Sequence, residues 1–362
     1  MSRTRKTDKP LFVATLLLVC TSVVMVYSAS AVVARQSTMF LTKQAMWAAL
    51  GLAVLAIASR IDYRFYRNER LAWAVLGGVG LMLVAVLFSS PVNGTRRWFG
   101  IGSLGIQPSE LAKLACILFT ALTLERRMHR INDLRYSLAP IGLITGGLML
   151  LILLEPDFGT AMSILAVVLV MVFAAGLDYR YLVGMVLLLL PAVAVVLVAA
   201  PYRVRRLMAF IDQWKDPLGS GFHIIQSLIA VGSGGIEGRG LMGGIQKLFF
   251  LPEPHTDFIF AVIAEELGLI GASAVLICFL VITWRGLRVS VRAEDAFGSF
   301  VALGLTTMIG VQAFINISMV LSLMPTKGIP LPMVSNGGSS LLISLLAMGI
   351  LLNISQHESA EA

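Results

Sequence analysis

Ten separate apolar runs constrain this chain more than any other feature. They lie near 11–33, 44–59, 71–89, 107–124, 139–154, 158–177, 181–200, 258–284, 297–323 and 337–354. A helix needs about 20 apolar residues to cross a bilayer core about 30 Å thick. Lipid offers no partner to a backbone N–H or C=O, so such runs must close their hydrogen bonds internally, as helices. The expected architecture is an all-α polytopic membrane protein of about ten transmembrane helices. It forms one integral membrane domain over 1–362, with one large, partly helical extracytoplasmic loop near 201–256. Hydrophobic residues make up 57% of the chain and charged residues 13%. Soluble domains carry roughly 45–50% and about 25%, so a soluble enzyme, a disordered chain and a fibrous repeat are all excluded.

Lysine and arginine set the orientation. With the N-terminus in the cytoplasm, the cytoplasmic segments hold Arg3, Arg5, Lys6, Lys9, Arg60, Arg64, Arg67, Arg70, Arg126, Arg127, Arg130, Arg135, Arg180, Arg285, Arg288 and Arg292. The short outer loops hold Arg35, Lys43, Arg96, Arg97 and Lys327. Both termini are therefore expected in the cytoplasm, and 201–256 outside. The first run follows a basic head and contains Tyr27-Ser-Ala-Ser-Ala31, but it is long for a signal-peptide core and is read as an uncleaved span. The net charge of +8 belongs to this topology pattern and to anionic lipid, not to nucleic acid. Cys20, Cys116 and Cys278 lie inside apolar runs, and no His/Cys spacing suits a metal.

A charge inside the hydrocarbon is costly and calls for a role. Glu110 and Lys113 stand three apart on the fourth span, hence on one helical face. Lys113 lies six residues beyond Gln107, about 9 Å below the outer end of the helix. Such a pair either ties helices together or lines an outward-facing cavity. Asp257 falls at the outer boundary, where the large loop enters the eighth span, and Asp257 or Thr256 also suits a helix N-cap. At 100° per residue, Glu265 lies about 80° from Asp257 and can share its cavity, whereas Glu266 faces the opposite side. The glycine-rich stretch 232–244 lacks both a preceding strand and a Gly-Lys-Ser/Thr ending, so it is no phosphate loop. Around it stand Arg203, Arg205, Arg206, Lys215, Arg239 and Lys247, cations able to meet an anionic headgroup. Carboxylates, a buried lysine and a cationic loop thus converge on the outer face. This suits a lipid-linked, phosphate-bearing substrate presented from the outer leaflet.

Several longer motifs are more specific. They are Asp8-Lys-Pro-Leu-Phe12, Val24-Met-Val-Tyr-Ser-Ala-Ser30, Asn93-Gly-Thr-Arg-Arg-Trp98, Gln107-Pro-Ser-Glu-Leu-Ala-Lys113 and Glu155-Pro-Asp-Phe-Gly-Thr160. Further along stand Gln226-Ser-Leu-Ile-Ala-Val-Gly-Ser-Gly-Gly235, the stretch from His255 to Glu266, and Ser335-Asn-Gly-Gly-Ser-Ser340. In this order, from end to end, they resemble the SEDS family of bacterial cell-wall proteins (shape, elongation, division and sporulation). Leu323-Met-Pro-Thr-Lys-Gly328 and Gly338-Ser-Ser340 look more like the division branch than the elongation branch. The chain departs from the family pattern at His223, Asn336 and Gly244, positions that concern substrate contacts rather than the reaction.

The resemblance implies a ten-span peptidoglycan glycosyltransferase that polymerises lipid II. By that resemblance Asp257 matches the family's essential aspartate, and Glu110 and Lys113 its glutamate and lysine on the fourth span. Arg203 and Arg206 match its arginines after the seventh. The acceptor 4-hydroxyl would attack the anomeric carbon of the donor chain with inversion, releasing undecaprenyl pyrophosphate. Asp257 would take the hydroxyl proton. Arg203, Arg206, Lys247 or a bound divalent cation would stabilise the leaving pyrophosphate. Lys113 would either hold Asp257 ionised or pair with Glu110. Glu265, Ser335 and Ser339 are further candidate substrate contacts. The implied partners are a class B penicillin-binding protein transpeptidase and other division proteins of the membrane, and the implied location is the division septum. Transport of lipid II between leaflets is the rival reading, and it would need a polar path through the inner half of the bilayer, where few charges stand. A non-catalytic scaffold is a third reading, which would leave Asp257 replaceable.

Overall fold

The computed structural model describes residues 7–30, 37–91, 95–101, 104–248, 250–251 and 254–357. Arg3, Arg5, Lys6, Ala31, Arg35, Asn93 and Gly94, used above, lie outside these residues. All ten expected spans are helices. They are α1 (Lys9–Ser30), α2 (Ser37–Ala58), α3 (Glu69–Val86), α4 (Pro108–Arg127), α5 (Ala139–Leu154), α6 (Phe158–Ala174), α7 (Tyr179–Val198), α10 (Ile259–Arg292), α11 (Ala296–Val320) and α12 (Gly338–Ser355). The segment 201–256 is indeed partly helical, with α8 (Pro201–Ile211) and α9 (Phe222–Ser233). Two departures stand out. α10 runs to Arg292, beyond the expected end near 284, and Phe99–Ile101 pairs antiparallel with Leu104–Ile106 in a short hairpin that the apolar pattern did not signal.

The helices begin where polar side chains can serve their free N–H groups. Asn68 accepts from Arg70 N, Asp157 from Thr160 N, Asp178 from Arg180 N and Asp295 from Gly298 N. Pro108, Pro140 and Pro201 occupy first-turn positions, where a missing N–H costs nothing. α10 has Phe258 at its N-cap and no side-chain cap, so the helix starts two residues after Asp257, and neither Asp257 nor Thr256 is the N-cap the sequence suggested.

α12 packs on α2, α10 on α1 and α11, and α11 on α4 and α6. α12 is buried almost throughout, whereas no residue in the most apolar stretch of α7 is buried. That stretch presents its leucines and valines to lipid, which is as apolar as they are. α4 carries Glu110, Lys113, Glu125, Arg126 and Arg127. Its first four turns are nevertheless buried, so its polar groups must find partners inside the bundle.

α10 is interrupted at Gly268, whose φ of 63° lies in the left-handed region. A Cβ there would also stand 2.3 Å from Gly238 N, so only glycine fits. The segment 235–240 lies against this break and repairs it. Arg239 N and Gly240 N donate to Glu265 O and Glu266 O, each at 3.0 Å, while Leu269 N and Ile270 N donate to Gly235 O and Ile236 O at 2.9 and 3.3 Å.

Candidate active site

A cavity of about 890 Å³ opens at the end of the bundle where α4 and α10 begin. Its walls come from the loop before α4, the starts of α4 and α6, the end of α7, α8, the 256–257 segment and the 325–337 loop. Among the described residues its carboxylates are Glu110, Asp157 and Asp257, and its cations are Arg97, Arg203, Arg206 and Lys327. The structure therefore brings four of the sequence candidates together in one space: Glu110, Arg203, Arg206 and Asp257.

Lys113 stands one turn deeper. Its ammonium is 2.9 Å from both carboxylate oxygens of Glu110, and both side chains are almost wholly buried. Of the two roles open to Lys113 in the sequence, pairing with Glu110 is the one realised. Asp157 is likewise occupied, accepting from Thr160 N at 3.1 Å, Thr160 Oγ1 at 2.8 Å and Gln107 Nε2 at 3.1 Å.

Four candidates lie elsewhere. Lys247 is buried 2.6 Å from Glu266 and 3.0 Å from Ser28 Oγ, so its charge is consumed by an ion pair away from the cavity. Glu265 accepts from Ile245 N at 2.7 Å and Gln246 N at 3.1 Å, and it does not share the space around Asp257. The helical wheel placed Glu265 by angle alone. The loop 234–248 folds back over this turn of α10 and covers both glutamates. Ser335 Oγ donates to Thr256 O at 2.7 Å, and Ser339 is buried with no partner for its Oγ among the described residues. Neither Ser335 nor Ser339 lines the cavity, although Ser340 does.

Four cavity-lining side chains, Phe158, Lys327, Tyr202 and Arg97, were not singled out from the sequence as site residues. The ring of Phe158, first residue of α6, gathers two cations: Lys327 Nζ at 4.8 Å and the Arg203 guanidinium carbon at 5.5 Å from its centroid. Arg203 and Arg206 also lie 5.4 and 5.9 Å from the Tyr202 ring centroid. Aromatic faces attract cations without neutralising them, so this wall stays available to an anion. Burial holds the Lys327 ammonium below the usual lysine range. Arg97 donates to Glu155 O at 2.8 Å and Pro156 O at 2.6 Å. The available signal was punctuation, since Lys327 sits between Pro325 and Pro330; in the structure a Cβ on the neighbouring Gly328 would be 3.2 Å from Asp257 Oδ2.

Glu155 lies just behind this mouth, fully buried, with neither carboxyl oxygen partnered among the described residues. Burial and the Asp157 carboxylate push it up to about 8, against the opposing pull of Arg97.

The chain is 44% identical to the probable peptidoglycan glycosyltransferase FtsW of Geobacter metallireducens, over 93% of this chain and 92% of that one. It is 42% identical to the stage V sporulation protein E of Bacillus subtilis, over 98% and 99%. Among solved structures it matches a chain of a peptidoglycan synthase complex that coordinates polymerization and crosslinking, with a TM-score of 0.80, 33% identity and coverage of 96% and 97%. It also matches the rod shape determining protein RodA of Thermus thermophilus, with a TM-score of 0.73, 28% identity and coverage of 98% of both chains. The cell cycle protein family that groups FtsW, RodA and SpoVE matches residues 9–360, and the chain belongs to that family.

Proposed function

We propose that this protein is a peptidoglycan glycosyltransferase of the division type, polymerising lipid II at the outer face of the bacterial cytoplasmic membrane. One observation carries the reading: a carboxylate, Asp257, shares a cavity with a wall of Arg203, Arg206 and Lys327 held open on aromatic rings. An alcohol at neutral pH needs a base to become a nucleophile, and Asp257 supplies it. A departing pyrophosphate needs fixed positive charge, which the cationic wall supplies without reorganising. Among the described residues no three His, Cys, Asp or Glu side chains come together to ligate a metal. The leaving-group charge is assigned to Arg203, Arg206 and Lys327, which line the cavity, and a divalent cation carried by the pyrophosphate would add to them. Glu110, neutralised by Lys113, shapes the floor of the cavity.

The relatives named FtsW support the division assignment. The arginines of 60–70, 126–135 and 285–292 lie toward the end of the bundle opposite the cavity, with Arg64, Arg67 and Arg126 paired there to Glu294, Glu125 and Glu69; the positive-inside rule makes this a support for a cavity outside and both termini in the cytoplasm. A class B penicillin-binding protein is the partner that would crosslink the product, alongside other division proteins at the septum. The deciding experiment is polymerisation of labelled lipid II by the purified protein, alone and with that transpeptidase. Glycan strands longer than the disaccharide are expected. Unpolymerised lipid II in both mixtures would refute the reading.

A further inference from the structure

We infer that Asn316 and Ser335 are positioning residues for Asp257, an inference that rests on the proposed role of Asp257 as base. Three consecutive backbone carbonyls bear on it. His255 O accepts from Asn336 N at 2.9 Å, Thr256 O from Ser335 Oγ at 2.7 Å, and Asp257 O from Asn316 Nδ2 at 2.9 Å. Both donating side chains are buried, Asn316 completely.

The Thr256 and Asp257 carbonyls define the peptide planes on either side of the Asp257 Cα. Fixing both planes fixes the direction of the Cα–Cβ bond and leaves the carboxylate only its own two side-chain torsions. The same two residues also hold the opposite loop. The second N–H of Asn316 Nδ2 donates to Ile329 O at 2.8 Å, and Ser335 Oγ accepts from Leu331 N at 2.8 Å. The loop that carries Lys327 and the segment that carries Asp257 are thereby locked into one frame. Ser335, expected from the sequence to touch substrate, faces backbone instead. A base displaced by about 1 Å loses on the order of a hundredfold in rate, so a clamp of this kind acts on turnover and not on binding.

The test compares Ser335→Ala, Ser335→Thr, Asn316→Leu and Asp257→Asn in the purified full-length protein, with lipid II polymerisation kinetics and thermal unfolding in detergent measured for each. Ser335→Ala and Asn316→Leu are expected to lower kcat at least tenfold with KM within twofold. Ser335→Thr, which keeps the hydroxyl, is expected to recover most of the rate. Folded Ser335→Ala and Asn316→Leu with normal kcat, or with a raised KM and unchanged kcat, would overturn the inference while leaving an inactive Asp257→Asn to support the base. Failure of both clamp variants to fold would assign the contacts to stability alone and equally overturn it. Normal turnover by Asp257→Asn would remove the base assignment itself, whatever the clamp variants do.

Discussion

Lys113 and Glu110 form a closed ion pair one turn apart on α4, with the ammonium 2.9 Å from each carboxylate oxygen and almost no exposure of either side chain. Removing one partner leaves the other charge buried, at a cost of about 3–5 kcal/mol. Lys113→Met and Glu110→Gln should therefore each lower the unfolding temperature in detergent sharply. The double variant should be more stable than the sum of the two losses allows. A double-mutant cycle measures the coupling, and strict additivity would show that the pair carries none.

Asp257→Asn should insert, fold and melt like the wild type, because an amide fills the same space. Glycan formation should fall by at least a hundredfold, because the amide cannot take a proton. Chain-length analysis of labelled product from well-folded protein is the measurement, and polymerisation near the wild-type rate would contradict the assignment.

Glu155 gives a pH dependence of defined sign. Its folded value of about 8 lies above the ordinary 4.5. The folded protein therefore holds a proton that the unfolded chain has already lost, and the associated stability is complete below about 4.5 and lost as pH rises through about 8. Glu155→Gln cannot titrate. The two proteins should melt together near pH 4.5, and the variant should melt progressively higher than the wild type up to pH 9. Parallel melting curves across that range would show that Glu155 ionises without penalty.

The placement of the cavity predicts which leaflet supplies substrate. In proteoliposomes of one orientation, lipid II confined to the leaflet facing α8 and α9 should be polymerised. Lipid II confined to the other leaflet should stay monomeric and stay where it is. Protein-dependent transfer of the second pool, unaffected by Asp257→Asn, would point to transport instead.

The ten spans were legible because crossing hydrocarbon demands a contiguous apolar run, a one-dimensional property. The Glu110–Lys113 pair was legible for the same kind of reason, since a spacing of three residues fixes a shared helical face. The fate of Lys247 and Glu265 was not. Both are settled by the loop 234–248 folding back onto α10, a tertiary contact that leaves no periodic trace. Arg97 and Lys327 were visible only as outer-loop charges, because what makes them cavity residues is the meeting of three short loops distant in sequence. Ser335 shows the opposite error: a residue in a specific motif invites a substrate role, while its hydroxyl is spent on the backbone of Thr256.

The break in α10 bears on how this protein enters its membrane. A span normally reaches the bilayer with its own hydrogen-bond ladder closed, and it can be inserted before it meets its neighbours. α10 cannot do this at its cavity end, because Glu265 O, Glu266 O, Leu269 N and Ile270 N find their partners in residues 235–240. Its first turns and that segment must therefore become ordered together, and chain order assists, since 235–240 leaves the ribosome first. The most specialised span is completed by a loop synthesised ahead of it, and assembly of the catalytic end waits on that docking step.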